Sequence, residues 1–131
     1  DLVAPCNSSI FPFEAGSVID TVSSPDDRHF KSLGYMAIVQ HSPGIFEKTY
    51  YTLYLHMAAP PNVRSGRIEK TTELGKVGNT GAADGCHTHF EIRYFSGRFS
   101  AWGNIYGEGD KRKDPYFLQQ WENPCGKFRC P

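Results

Sequence analysis

The chain has 131 residues, which is enough for one domain with a real core and too few for two. Its 14 basic and 14 acidic residues cancel, so neither nucleic acid nor an anionic membrane is indicated as a partner attracted by charge. No apolar run reaches the roughly 20 residues of a membrane span, and no internal repeat is visible. We therefore expect a single domain over 1–131.

Short segments rich in aromatic and β-branched residues follow one another along the chain. Nine prolines and thirteen glycines separate them, a composition typical of strands joined by turns. Alternation of apolar side chains predicts strands within 35–39, 49–57 and 88–94. In the second of these, Tyr54 and His56 are expected on a polar, aromatic face, with Met57 on the opposite face. The sequence therefore predicts a mostly β fold.

Two histidines lie one strand period apart in Gly85-Cys86-His87-Thr88-His89-Phe90-Glu91. In an extended backbone His87 and His89 share a face, so the two imidazoles can share one metal ion. An isolated pair of this kind is more typical of the solvent face of a half-buried strand. A metal site is the favoured interpretation here, because of His56 in the preceding predicted strand and the glycine-rich run 74–85.

Three further polar residues have more than one interpretation. His41 is expected to be a solvated turn histidine, with a supporting contact to a site residue as the alternative. Glu91 and Arg93 share the face of His89, so they either orient an imidazole or pair with each other in solvent. His29 is expected to be exposed in a charged loop.

The last third of the chain is predicted to hold a long surface loop over 95–113 and one short helix. The loop either forms a wall of a groove or is an inert insertion. Asp114 can cap the exposed amides of the helix, and Pro115 fits its first position, with the helix running to Trp121.

Four cysteines favour an oxidising compartment. Cys125 and Cys130 are spaced for a small disulfide loop, which leaves Cys6 and Cys86 as the other candidate pair, although four cysteines allow three connectivities. A thiolate metal ligand at Cys86 is the rival interpretation, and it is weaker because adjacent strand residues point to opposite faces. Asn7-Ser8-Ser9 is also a glycosylation acceptor, meaningful in a eukaryotic secretory pathway.

Several of these segments resemble the lysostaphin-like, or LytM-type, zinc endopeptidases, which cut peptide bonds in bacterial peptidoglycan. The family patterns Tyr-x-His-Leu, Gly-x-x-Gly-x-Thr-Gly and Gly-Pro-His-x-His-Phe-Glu look like Tyr54 to Met57, Gly75 to Gly81 and Gly85 to Glu91. Weaker likenesses lie at Asp1 to Pro5, Phe13 to Val18 and Asp114 to Leu118. The resemblance spans most of the chain, apart from an insert near 95–113.

The resemblance implies an antiparallel β-sheet sandwich or barrel-like fold, built on a duplicated hybrid motif, with a groove that holds one zinc ion. Asp1 and His89 match zinc ligands of the family, and His56 and His87 match its two catalytic histidines. One of these would take a proton from the attacking water, and the other would steady the oxyanion or the leaving amine. Tyr54, beside His56, would contact the substrate.

The family motif His-x-x-x-Asp is where this chain departs from the pattern. Its aspartate matches Asp1, so the third zinc ligand, a histidine four residues earlier, is absent from this chain. We expect a domain truncated at its N-terminal edge. The alternatives are a lost ligand and chelation by the free amino group of Asp1 together with its carboxylate.

The resemblance implies a secreted zinc metalloendopeptidase, extracellular or periplasmic and monomeric, that acts on peptidoglycan cross-links or glycine-rich peptides. The alternative is a catalytically inactive module of the same fold that binds cell-wall peptides or regulates another wall hydrolase. The presence of His56, His87 and His89 together favours the enzyme, because a binding module has no need for all three.

Overall fold

A computed structural model describes residues 1–23, 33–42 and 49–93 of the chain. Within these ranges the protein forms eight β-strands: β1 (Leu2–Val3), β2 (Ser9–Ile10), β3 (Gly16–Val22), β4 (Tyr35–His41), β5 (Tyr50–Met57), β6 (Gly66–Ile68), β7 (Gly75–Lys76) and β8 (His87–Arg93). In the same ranges no helix is long and apolar enough to cross a membrane. The loop predicted over 95–113 and the helix predicted over 114–121 lie outside the described residues.

Six of the strands form one sheet in the order β1-β8-β5-β4-β3-β6, and β2 pairs with β7 in a separate two-stranded sheet. The strand pairs with a defined register are all antiparallel. The expectation of a mostly antiparallel β fold is therefore confirmed. In the larger sheet β8 lies between β1 and β5, so the strand that carries the His-x-His pair adjoins both the strand next to Asp1 and the strand with His56.

The core lies against the two central strands, β4 and β5. All eight residues of β5 are buried, as are the four consecutive residues of β4 from Met36 to Val39. Strands with both faces covered are apolar on both, which accounts for the continuous hydrophobic run in β4. One buried cluster joins these strands to β2, β3, β6 and the turn before β7; it comprises Ile10, Val18, Ala37, Val39, Tyr54, Met57, Ile68, Leu74 and Val77.

The alternation predicted for β5 fails near its C-terminal end. Ala37 pairs with Tyr54 and Tyr35 pairs with Met57, so Met36 stands opposite two residues of β5. This bulge brings Met57 into the same core cluster as Tyr54, contrary to the expected opposite faces. His56 lies within the bulge, with φ of 62°. His56, expected on a polar, aromatic face, lies beside His87 and His89 and is only 6% exposed.

A disulfide joins Cys6 to Cys86, whose Cα atoms are 5.2 Å apart and which are separated by 80 positions in sequence. The bond confirms the predicted pair, and it rules out a thiolate metal ligand at Cys86. It ties the segment after β1 to the residue that precedes His87, the first residue of β8. Cys125 and Cys130 lie outside the described residues.

The chain divides into two units, Asp1–Ile92 and Arg93–Pro131. The first unit contains β1 to β7 and nearly all of β8. The second lies outside the described residues beyond Arg93, so a single domain over 1–131 stays a prediction.

Candidate active site

The pairing of β1 with β8 brings Asp1 to the His-x-His segment. Leu2 lies opposite Thr88 and Val3 lies opposite His87, so the next pair in this antiparallel register is Asp1 and His89. The carboxylate oxygen Oδ1 of Asp1 is 2.7 Å from Nδ1 of His89 and 3.9 Å from Nε2 of His87. Two residues 88 positions apart therefore meet because of one short strand pair.

His56 reaches the same place from β5. Its ring centre is 5.0 Å from that of His87 and 6.2 Å from that of His89. The structure therefore brings together Asp1, His56, His87 and His89, the four side chains that the sequence marks for a metal centre and its catalytic histidines.

Hydrogen bonds to backbone carbonyls fix the tautomer of two of these histidines. Nδ1 of His56 lies 2.8 Å from the carbonyl oxygen of Thr80, and Nδ1 of His87 lies 2.9 Å from that of Gly85. A carbonyl oxygen only accepts, so each Nδ1 carries the proton, and Nε2 holds the lone pair when the ring is neutral. Both carbonyls belong to the segment 78–85. By accepting the Nδ1–H groups, this segment leaves Nε2 as the basic nitrogen of each imidazole.

Burial decides the charge of His56. Desolvation lowers the pKa of His56 below its ordinary value, the hydrogen bond to Thr80 opposes this, and the nearby His87 and His89 lower the pKa further. His56 is therefore neutral at neutral pH, which is the state that a proton acceptor requires.

The backbone of His56 adopts a conformation that is unfavourable for a side chain with a Cβ atom. Its φ of 62° is in the left-handed region, which costs a residue of this kind about 1–2 kcal/mol. The N–H of His56 donates to the carbonyl of Leu33 at 3.0 Å, so the strained residue is held at both backbone and ring. Strain of this kind concentrates at functional sites.

His89 contacts a carboxylate at each ring nitrogen. Nδ1 faces Asp1, and Nε2 lies 2.7 Å from Oε1 of Glu91, two residues further on the same face of β8. Of the two interpretations of Glu91, contact with an imidazole is therefore the one observed. A histidine that binds metal through one nitrogen commonly donates its other N–H to a carboxylate.

Carboxylate oxygen and imidazole nitrogen are donors that zinc takes, so Asp1 and His89 fit the predicted pair of ligands. Within 1–23, 33–42 and 49–93, however, no group of three or more His, Cys, Asp and Glu side chains forms a set that could hold a metal ion.

Tyr54 and His41 belong to a buried polar network in the core. The hydroxyl of Tyr54 accepts the N–H of Phe13 at 2.8 Å and shares a hydrogen bond of 3.0 Å with Thr52, and burial raises its pKa to about 12. With Tyr54 only 3% exposed, its contact with a substrate stays a prediction. His41 is 1% exposed and bonds Ala15 and Thr52, so the expectation of a solvated turn histidine was wrong.

Thr80 is the residue of the site that sequence reasoning missed. Its carbonyl binds His56, and its hydroxyl bonds the backbones of Tyr35 and Met57. Thr80 lies in the motif Gly78-Asn79-Thr80-Gly81, but the chemistry of a threonine in a glycine-rich turn does not mark it as a site residue.

Comparisons with known proteins identify the family and the fold. The sequence model of peptidase family M23 matches residues 1–101. The peptidoglycan DD-endopeptidase ShyA of Vibrio cholerae serotype O1 is 30% identical over 95 residues, which are 69% of this chain and 20% of that protein. The chain thus spans about a fifth of the length of this relative.

The fold is also found among solved structures. A mutant of the catalytic domain of the prophage-encoded M23 protein EnpA from Enterococcus faecalis matches with a TM-score of 0.56 at 22% sequence identity. The match covers 69% of this chain and 62% of that one, and it shows a common fold.

Proposed function

We propose that this chain, which belongs to peptidase family M23, is a zinc-dependent endopeptidase that hydrolyses peptide bonds in peptidoglycan. The observation that carries the proposal is the meeting of Asp1, His89 and His87 across β1 and β8, with His56 added from β5. The relative named as a peptidoglycan DD-endopeptidase supports the class of substrate.

Asp1 and His89 are the proposed zinc ligands of this chain, and the family motif His-x-x-x-Asp supplies a third ligand from its histidine. A zinc ion held by these residues would supply Lewis-acid chemistry and would lower the pKa of a bound water to about 7. Glu91 accepts the remaining N–H of His89 and so keeps Nδ1 directed at Asp1.

His56 and His87 are the proposed acid–base pair. Each presents Nε2 as an acceptor, because its Nδ1–H is bonded to a carbonyl. One of them accepts the proton of the attacking water at Nε2 and then, as an N–H donor, returns it to the leaving amine. The other, when protonated, donates to the oxyanion that forms on the scissile carbonyl.

The disulfide between Cys6 and Cys86 supports a place of action outside the reducing cytosol, extracellular or periplasmic, where a wall polymer would be met. We propose that the protein acts there as a monomer.

The test is digestion of purified peptidoglycan by the zinc-loaded protein, with mass spectrometry of the released fragments to find new amino termini. We expect the protein to release peptidoglycan fragments. A chelator should stop this release, and added zinc should restore it. His56→Ala and His87→Ala should keep zinc while turnover falls on the order of 100-fold or more, because each removes a proton-transfer group. His89→Ala should lose zinc. His29→Ala, a histidine with no proposed role, is the matched control.

Two results contradict the proposal. Zinc retained by His89→Ala would overturn the ligand assignment. Binding to peptidoglycan without release of any fragment at saturating zinc would favour the alternative, an inactive module that binds wall peptides or regulates another wall hydrolase.

A further inference from the structure

We propose that Thr80 is a positioning residue for His56: its hydroxyl anchors the peptide whose carbonyl selects the Nδ1–H tautomer of that histidine. The role of His56 as a proton acceptor rests on the function proposed above. The tautomer of His56 does not, since it follows from the contacts of Thr80 alone.

The hydroxyl of Thr80 joins two strands. Oγ1 donates to the carbonyl of Met57 at 2.6 Å and accepts the N–H of Tyr35 at 3.1 Å. Tyr35 begins β4 and Met57 ends β5, so these bonds fix Thr80 where the bulge interrupts the pairing of the two strands. A β-branched side chain has few rotamers, which adds to the rigidity of this anchor.

The carbonyl of Thr80 accepts Nδ1–H of His56 at 2.8 Å. Thr80 thus holds two consecutive residues of β5, the ring of His56 through its backbone and the carbonyl of Met57 through its side chain. If the hydroxyl is lost, the peptide is free to shift, and Nδ1 loses the acceptor that keeps the proton on it.

Two glycines allow close backbone approach around Thr80. A Cβ atom on Gly34, which has φ of 66°, would collide with Oγ1 and the backbone of Thr80. A Cβ atom on Gly78 would collide with the backbone of Ala58, directly after β5. The chain around Thr80 is therefore packed against the backbone of both strands.

The consequence is specific to proton transfer. With Nδ1 protonated, the lone pair of His56 is at Nε2; in the other tautomer Nε2 carries the proton and cannot accept one. Thr80 is not one of the proposed ligands Asp1 and His89, so a folded protein without the hydroxyl should still bind zinc. Only a fraction of its molecules would hold His56 in the competent tautomer.

The experiment compares Thr80→Val, which keeps the shape and removes the hydroxyl, with Thr80→Ser, which keeps the hydroxyl. Nitrogen-15 NMR of the His56 ring at about pH 8 reports the tautomer, since a neutral ring shows which nitrogen carries the proton. We expect Nδ1–H in the parent protein and in Thr80→Ser, and a mixture in Thr80→Val. The kcat of Thr80→Val should fall about 10-fold, with KM and zinc affinity unchanged.

Thr72→Val is the matched control, because the hydroxyl of Thr72 accepts the N–H of Glu69 in an exposed segment between β6 and β7. The proposal is overturned if folded Thr80→Val keeps the Nδ1–H tautomer and the parent kcat, or if Thr80→Ser loses both. If Thr80→Val does not fold, Thr80→Ala takes its place in the same comparison. If the protein hydrolyses nothing, the proposed function fails, and the tautomer measurement still decides the role of Thr80.

Discussion

Glu91 shows how a single residue can determine what a histidine is able to bind. It holds Nε2 of His89 at 2.7 Å, which leaves Nδ1 pointing at Asp1. Without this contact the imidazole can rotate about its side-chain torsions, and a metal ion would have to order it on binding. A carboxylate partner also makes the imidazole a stronger donor towards a metal.

We therefore predict that Glu91→Ala weakens zinc binding by about 10- to 100-fold. Glu91→Gln should lose less, because its amide oxygen still accepts the N–H of His89 without the negative charge. Calorimetric titration with zinc measures both. Glu69→Ala is the control, since Glu69 pairs with Arg67 at an exposed surface. Equal zinc affinity in Glu91→Ala and the parent protein would show that Glu91 has no part in orienting His89.

The sequence predicts the positions of some residues in the structure better than those of others. The common face of His87 and His89 follows from the period of a strand, so it could be predicted from two positions alone. The meeting of Asp1 with His89 depends on a register between distant segments, which only the family resemblance indicated. His41 was misjudged because its partners, Ala15 and Thr52, come from other parts of the chain and leave no local trace.

At the scale of elements, β1 is the weakest support of the site. It pairs with β8 through only two residues, Leu2 and Val3, both of them exposed, and yet it sets the place of Asp1. The disulfide from Cys6 to Cys86 adds a covalent tie between the same two segments. We infer that this bond supports the short strand pair that keeps Asp1 beside His89.

The prediction is that Cys6→Ser combined with Cys86→Ser lowers the free energy of unfolding by about 2–4 kcal/mol, since the bond closes a long loop in the unfolded chain. Zinc affinity should fall as well, because Asp1 is then held only by the short strand pair. Denaturant unfolding and zinc titration measure the two effects. A double variant that binds zinc as tightly as the parent would contradict the link between the bond and the metal centre.

The strands themselves were predictable from alternation and the irregularity between them was not. Segments 35–39, 49–57 and 88–94 correspond to β4, β5 and β8 within two residues at each end. The bulge at the end of β5 arises from the pairing of Tyr35 with Met57, a property of two strands together. This bulge changes the face of Met57 and contains His56, so the error occurred where the site is built.

Across the whole molecule, two buried histidines link stability to pH. His41 lies at the end of β4, beside the start of β5, and His56 lies near the other end of β5. Burial lowers the pKa of both; for His41 the bond to Ala15 and the charge of Glu14 oppose this, and for His56 the bond to Thr80 does. Each histidine has a lower pKa in the folded protein than in the unfolded chain, so the unfolded chain binds more protons as the pH falls below about 6.5.

It follows that the free energy of unfolding is at its full value above about pH 6.5 and decreases as the pH falls, by at most about 1.4 kcal/mol per pH unit for each histidine. Denaturant unfolding between about pH 7.5 and pH 5 measures the slope. Hydrogen bonds from Ser9 and Lys76 lower the pKa of the Glu73 carboxyl, so the contribution of Glu73 to stability changes at a pH below this range. His41→Ala and His56→Ala should each flatten the slope, whatever they do to stability at neutral pH, while His29→Ala serves as the comparison. A slope that neither variant reduces would mean that both rings take up protons as readily in the folded protein as in the unfolded chain, against the burial that the structure shows.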